Sequence, residues 1–218
     1  MLKLYHLPIS FNSRRVWICL LEKKLDFELV EMKLDGDQYQ SEFLKMNPFH
    51  HIPVLEVDGF PIIESFAILD YLETKYPTPA LLPTNPEDLA IVRMVQMVTL
   101  TEFIPAMTPL LRQMMGFGEE TPEKIEQSKE KIGVVLNFFA EKLRRSPYFG
   151  GEHLSLAELV AGTAIPFLPQ MGIEMEDYPK IKEWCDRLMQ RSSWQETQPT
   201  PEAIAGFKAQ MKELMSKR

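Results

Sequence analysis

Three short segments in the first third of the chain carry residue types that could do chemistry together. The first is Ser10-Phe11-Asn12-Ser13-Arg14, at the entrance of an apolar run that reads as a helix. A helix N-terminus carries partial positive charge and favours an anion such as a thiolate. The Ser10 hydroxyl, aimed at a sulfur, would lower that thiol's pKa. Ser10 or Ser13 would equally serve as an ordinary helix cap, so both readings stay open.

The second segment is His50-His51-Ile52-Pro53-Val54. A proline at the entrance of a strand cannot donate a ladder hydrogen bond. A cis Ile52-Pro53 bond would expose the N–H and C=O of Val54. An extended peptide ligand could then pair with those groups as an added strand. The alternative is a trans edge-strand proline. The third segment, Glu64-Ser65, opens another helical pattern. Ser65 and the first free N–H groups of that helix form a natural carboxylate site. Glu64 can accept from an ammonium group, so the pair suits an amino-acid head group carrying both charges. For Ser65 alone, a helix cap is the competing reading.

Other reactive residue types point to less. His50 and His51 are adjacent, with no third or fourth ligand suitably spaced, so no metal is expected. His6 and His153 are isolated. Cys19 and Cys185 belong to no CxxC pair and read as buried, reduced thiols of a reducing compartment.

The elements that would position these residues alternate at first. Leu2 to Leu7 reads as a buried strand, and a helix starts at Ser13 or Arg14 and runs to Lys24. Phe27 to Met32 is a second strand, and Asp35 to Lys45 holds room for a short helix. Ile52 to Val57 and Phe60 to Ile63 flank Asp58-Gly59, a strong hairpin signal. Glu64 to Lys75 is an amphipathic helix. The order β-α-β then β-β-α predicts a small mixed sheet with helices on both sides. Prolines 77, 79, 83 and 86 mark residues 77–87 as a linker. Beyond it the pattern is helical throughout: Leu89 to Met115, Pro122 to Arg145, Ser155 to Met171, Pro179 to Arg191 and Pro201 to Lys217. Pro105 and Pro109 are expected to end or kink the first of these.

The whole chain is compatible with this. Its 218 residues suffice for one large domain or two modest ones. A net charge of −7 argues against broad nucleic-acid binding. The N-terminus reads as a strand rather than a signal peptide. No apolar run is seen to approach the ~18 residues of a membrane span. The expectation is a cytoplasmic protein without membrane or nucleic-acid partners.

Together these features resemble the cytosolic glutathione transferases over nearly the whole chain. Asn47-Pro48-Phe49-His50-His51-Ile52-Pro53-Val54-Leu55 and Ile63-Glu64-Ser65-Phe66-Ala67-Ile68-Leu69-Asp70-Tyr71-Leu72 carry the likeness, in the family's order and at its distance. Leu154-Ser155-Leu156-Ala157-Glu158 is similar to the family's capping box, with Glu158 in place of Asp. Leu7 to Val16 resembles the serine-type signature of theta and delta members, and the chain is also similar to bacterial and cyanobacterial chi-type members.

The resemblance implies a thioredoxin-like domain over residues 1–77 and an all-helical domain over 88–218, usually in a homodimer. It implies a cis Pro53, with Val54 on the cysteinyl backbone of glutathione and Ile52 beside it. Glu64 and Ser65 would hold the γ-glutamyl group. His50 would approach the glycine carboxylate, with His51 its neighbour. Ser10 would activate the thiol with electrostatic help from Arg14, and Tyr5 ranks behind it. The bound thiolate would attack small hydrophobic electrophiles or peroxides, with Phe103, Met107, Leu111, Met114, Met115 and Phe117 as candidate pocket residues. Rival readings are a zeta-type glutathione-dependent isomerase, whose Ser-Ser-Cys motif is missing here, and a non-catalytic assembly module. Disulfide-exchanging omega or beta types want a cysteine where Ser10 and Ser13 stand.

Overall fold

A computed structural model describes residues 1–143 and 146–216. The chain forms two compact units, one of residues 1–80 together with 192–218, the other of residues 81–191. The sequence placed the last stretch with the helical domain; instead it joins the first unit.

In the first unit, β1 (Leu2–His6), α1 (Phe11–Glu22) and β2 (Phe27–Glu31) make the expected crossover, and β1 and β2 pair in parallel. A short helix α2 (Ser41–Met46) precedes the hairpin of β3 (Val54–Val57) and β4 (Phe60–Ile63). Asp58 and Gly59 both adopt positive φ, 50° and 86°, the conformation a two-residue hairpin requires. The sheet order is β2-β1-β3-β4, with β3 antiparallel to both neighbours. α3 (Ser65–Lys75) follows β4 and packs on α1. Leu4, Val16, Ile18, Leu20, Leu55, Ile68 and Leu69 are wholly buried and form the centre of this unit.

Lys23 closes α1. Its ammonium is buried, pairs with Glu73 at 2.7 Å, and donates to the carbonyls of Tyr76 and Pro79 at 2.8 and 2.9 Å. The end of α1 is thereby tied to the end of α3 and to the chain leaving it.

The second unit is helical. α4 (Pro86–Val98), a π-helical turn over Thr99–Phe103 and α5 (Ile104–Met115) form one uninterrupted helix. Pro105 and Pro109 are expected to end or kink it, and it ends at neither. A proline lacks the N–H and its ring crowds the carbonyl four residues back. The wider turn just ahead of Pro105 accommodates this: Ile104 N–H bonds Thr99 C=O, five residues back rather than four. By length and mean hydropathy this helix is apolar enough to cross a membrane, contrary to the sequence reading. Ile91, Val92, Val95, Phe103, Met107 and Leu110 are buried along it, and it packs on other helices of the unit.

α6 (Pro122–Leu143) ends within the described residues two positions short of Arg145, which lies outside them. The predicted helix from Ser155 to Met171 is two elements, α7 (Leu156–Ala161) and a 3-10 segment over Ile165–Met171. Pro166 and Pro169 remove donors that a continuous α-helix would need. Glu158 completes the expected capping box, accepting from Ser155 N at 2.9 Å while Ser155 Oγ accepts from Ala157 N at 3.2 Å. Glu158 also accepts from Phe149 N and Trp184 Nε1, so one buried carboxylate organises three segments. α8 (Pro179–Met189) packs on α6.

Two helices return to the first unit. α9 (Ser192–Glu196) rests on α1, where Ser193 Oγ donates to Glu22. α10 (Pro201–Ser216) follows, and Gln210 donates to Lys33 C=O at 2.6 Å. Lys217, predicted as the end of this helix, lies outside the described residues.

Candidate functional site

Strand register decides which of the three chemical segments meet. Val54 at the start of β3 stands opposite Tyr5 near the end of β1 and opposite Ile63 at the end of β4. The chain leaving β1 leads into the Ser10 loop, and the chain leaving β4 leads into Glu64-Ser65. The chain entering β3 arrives through His50, His51, Ile52 and Pro53. All three segments therefore lie at one end of the sheet.

The Ile52-Pro53 peptide is cis. The N–H and C=O of a strand residue point to the same neighbouring strand. Val54 has a paired strand on both sides and is fully buried, so its backbone groups belong to the ladder. This corrects the expectation that Val54 receives the ligand backbone. Ile52, on the other side of the cis proline, lies beyond the paired register, half-buried, and is the residue whose backbone an extended ligand could meet.

Asn47 shapes the loop that carries the histidines. Its buried side chain accepts from Phe49 N at 3.0 Å and donates to His51 C=O at 2.8 Å. His50 has positive φ, 50°, and its ring lies 4.9 Å from that of Tyr39 and 5.4 Å from that of His51. Both histidines are exposed. Asn47 was visible in the sequence only as part of a motif; its organising role follows from an Asx turn whose end point could not be read in advance.

Ser10 is the N-cap of α1, accepting from Ser13 N at 3.4 Å. An accepting hydroxyl keeps its own proton to donate, so the cap and the thiol-donor readings are compatible. Ser13 is different: it is buried and its Oγ accepts from Leu7 N at 3.2 Å, inside the loop. Tyr5 donates its phenol to Glu56 at 3.0 Å, and burial with the adjacent carboxylate raises its pKa. Arg14 is also engaged elsewhere. Its Nε donates to Thr197 C=O at 2.9 Å and an Nη to Gln198 Oε1 at 3.3 Å, and it is buried. The expectation of help from Arg14 to a thiol is corrected to a role in anchoring the C-terminal segment.

At the third segment Glu64 precedes α3 with φ 66° and ψ 115°, a conformation costly for a residue with a Cβ. Its side chain is exposed. Ser65 begins α3, is 7% exposed, and accepts from an Nη of Arg15 at 3.4 Å. Arg15 was missed by the sequence reading, which saw only a cationic residue inside an apolar helix.

Among the described residues no cluster of histidine, cysteine and carboxylate side chains is arranged to hold a metal. Cys19 and Cys185 are buried, and desolvation pushes both thiols far above the ordinary range. Of the pocket candidates in the helical unit, Phe103 and Met107 are buried core, whereas Leu111, Met114, Met115 and Phe117 are half-buried.

A crossover-and-hairpin sheet with a cis proline opening β3, in a chain that also carries a helical unit, defines a class of protein, and sequence comparison agrees with it. Residues 4–80 match the glutathione S-transferase N-terminal domain, and residues 95–192 match the glutathione S-transferase C-terminal domain. The chain belongs to the glutathione S-transferase family and is an enzyme of that class. Glutathione S-transferase F14 of Arabidopsis thaliana is 31% identical over 88% of this chain and 81% of its own. Maleylacetoacetate isomerase of Rattus norvegicus is 29% identical over 90% and 91%. Among solved structures, a delta-class glutathione transferase of Nilaparvata lugens superposes with a TM-score of 0.82 at 26% identity, covering 98% of this chain and 99% of that one. A glutathione transferase homologue from Sulfitobacter, solved with bound glutathione, superposes at 0.73 with 26% identity over 88% and 94%.

Proposed function

We propose that the end of the sheet where Ser10, Ile52 and Ser65 gather holds glutathione in extended form and activates its thiol. The observation that carries this reading is the register of Val54 against both Tyr5 and Ile63, which places the three segments side by side. Ile52, rather than Val54, receives the cysteinyl backbone. Glu64 and Ser65 take the γ-glutamyl head group, and His50 with His51 lies toward the glycine end.

Ser10 donates its hydroxyl proton to the sulfur, and the N-terminus of α1 adds its field. Lowering a thiol pKa by about two units takes ~2.7 kcal/mol, within reach of one hydrogen bond to an anion plus the helix dipole. The thiolate then forms a C–S bond at the electrophilic carbon of a small hydrophobic compound, expelling a leaving group such as halide. With a hydroperoxide it attacks the outer oxygen, the O–O bond breaks, and an alcohol leaves. The sulfenic acid formed is reduced by a second glutathione to the disulfide and water. Arg14 is left out of this set because its guanidinium is committed to Thr197 and Gln198. The test is Ser10→Ala: the pKa of enzyme-bound glutathione should rise and the conjugation rate should fall. An unchanged pKa would remove Ser10 from the role.

The likeness to a maleylacetoacetate isomerase supports a second reading, glutathione-dependent isomerisation. The loop Ile9-Ser10-Phe11-Asn12-Ser13 lacks the Ser-Ser-Cys motif of that type. Direct assay with maleylacetoacetate, beside an aryl halide, an isothiocyanate and a hydroperoxide, separates the two. A protein-assembly module without catalysis would turn over none of them.

The same reading includes a homodimer in the cytoplasm. Met94, Met97 and Leu100 stand exposed at intervals of three along one helix, and Phe60 is 63% exposed on β4. Exposed apolar side chains in such a row suit a covering partner. Sedimentation giving a monomer at micromolar concentration would count against it.

A further inference from the structure

Arg15, like Arg14, is a deeply buried cation of α1. It is 1% exposed, its guanidinium lies 5.5 Å from the centre of the Phe66 ring, and its one hydrogen bond among the described residues reaches Ser65 Oγ at 3.4 Å. Its Nε has no hydrogen-bond partner, and no carboxylate among the described residues lies within ion-pair distance of it. Isolating a charge in this way is costly unless a counterion arrives. Arg14, the preceding residue, is held by the carbonyl and amide oxygens of Thr197 and Gln198. Arg15 instead points its charge at the first residue of an eleven-residue helix, whose free N–H groups already favour an anion.

We infer that Arg15 is the buried countercharge of the γ-glutamyl site, and that it fixes Ser65 for capture of the ligand's α-carboxylate. The inference rests on the glutathione reading above. A guanidinium only donates, so Ser65 Oγ must accept from it. The hydroxyl proton of Ser65 is then directed away from Arg15 and is free to donate to the carboxylate. The carboxylate in turn supplies the negative charge that no described residue places within ion-pair distance of Arg15. Arg15 acts through Ser65, so it is a positioning residue. Its effect is selective: it rewards a free α-carboxylate on the γ-glutamyl group and nothing else in the ligand. Burial lowers the Arg15 pKa to about 10, which leaves it charged at neutral pH.

The test uses the full chain, with glutathione and its analogue amidated at the γ-glutamyl α-carboxylate as calorimetric ligands. The wild type should prefer glutathione by about 10- to 100-fold, the range of a hydrogen bond to a charged group. Arg15→Met should lose most of that preference and raise KM for glutathione by a similar factor, with kcat at saturation little changed. Arg15→Lys should recover part of it. Adding Ser65→Ala to Arg15→Met should cost little more. Ligand-free Arg15→Met should melt no lower than the wild type, because an uncompensated charge has been removed. Wild-type-like selectivity in Arg15→Met overturns the inference, and so does a variant that melts far lower or fails to fold, since Arg15 would then be structural. If the wild type does not bind glutathione at all, the glutathione reading falls and takes this inference with it.

Discussion

Arg14 Nε and the carbonyl oxygen of Thr197 lie 2.9 Å apart, joining residues 183 positions distant in the chain. The first turn of α1 thus holds the C-terminal segment, with Gln198 Oε1 as a second acceptor. Arg14→Gln should leave a buried carbonyl without its donor, costing ~1–3 kcal/mol. The expected outcome is a lower melting temperature and faster proteolysis between α9 and α10, with the pKa of bound glutathione unmoved. A shifted thiol pKa in this variant would return Arg14 to the catalytic set.

Lys23 has the same kind of task at the other end of α1. Lys23→Met strands the carbonyls of Tyr76 and Pro79 and takes away the ammonium that faces Glu73. Breaking a buried pair by deleting one partner costs about 3–5 kcal/mol. Denaturant titration should show a loss of that order, and a loss near zero would mean the pair is freely replaced by water.

His6 gives the protein a pH dependence of known sign. Burial lowers its pKa to about 4, from about 6.5 in an unfolded chain. Between those values the unfolded state binds the extra proton, so stability falls as pH falls from about 6.5 toward 4. Its ring meets the edge of Trp17, with centroids 5.1 Å apart, and its Nδ1 has no hydrogen-bond partner. His6→Phe keeps an aromatic ring and removes the titration. The gap in melting temperature between variant and wild type should move in the variant's favour from pH 7 to pH 5, and a constant gap would contradict this.

Gly162 sits where α7 meets α8. A Cβ there would come within 2.4 Å of Leu188 Cδ1 and 2.6 Å of Glu158 C=O. One of these contacts is backbone, so repacking a side chain cannot relieve both. Gly162→Ala should destabilise by ~1–3 kcal/mol, read as a lower denaturation midpoint with unchanged slope.

Much of this architecture is legible in the residues alone. The Asp58-Gly59 turn, the alternating strands and Pro53 announce the sheet, because each is a local demand on the backbone. Glu64 and Ser65 stand out because they open a helix directly after a strand, where free N–H groups suit a carboxylate, although Ser65 serves equally as a plain cap. What escaped were relations over distance. Val54 and Ile52 flank the same proline, and only strand register shows that Val54 is paired on both sides while Ile52 lies beyond the ladder. Arg14 and Arg15 are neighbours of one type, yet one meets residues 197 and 198 and the other meets residue 65. No local pattern tells them apart. The continuation of the helix through Pro105 depends on the wide turn over Thr99–Phe103, which no local residue pattern announces.

That wide turn also acts as a phase adjuster. An α-helix advances about 100° per residue, since 3.6 residues complete a turn. The buried set Ile91, Val92, Val95 and Thr99 lies before or at its start, and Ala106, Met107 and Leu110 after it. Taking one residue out of Thr99–Phe103 would turn the second set by about 100° relative to the first. One half of the helix would then offer its polar side to the interior, so this stretch should tolerate substitution far better than a change in length.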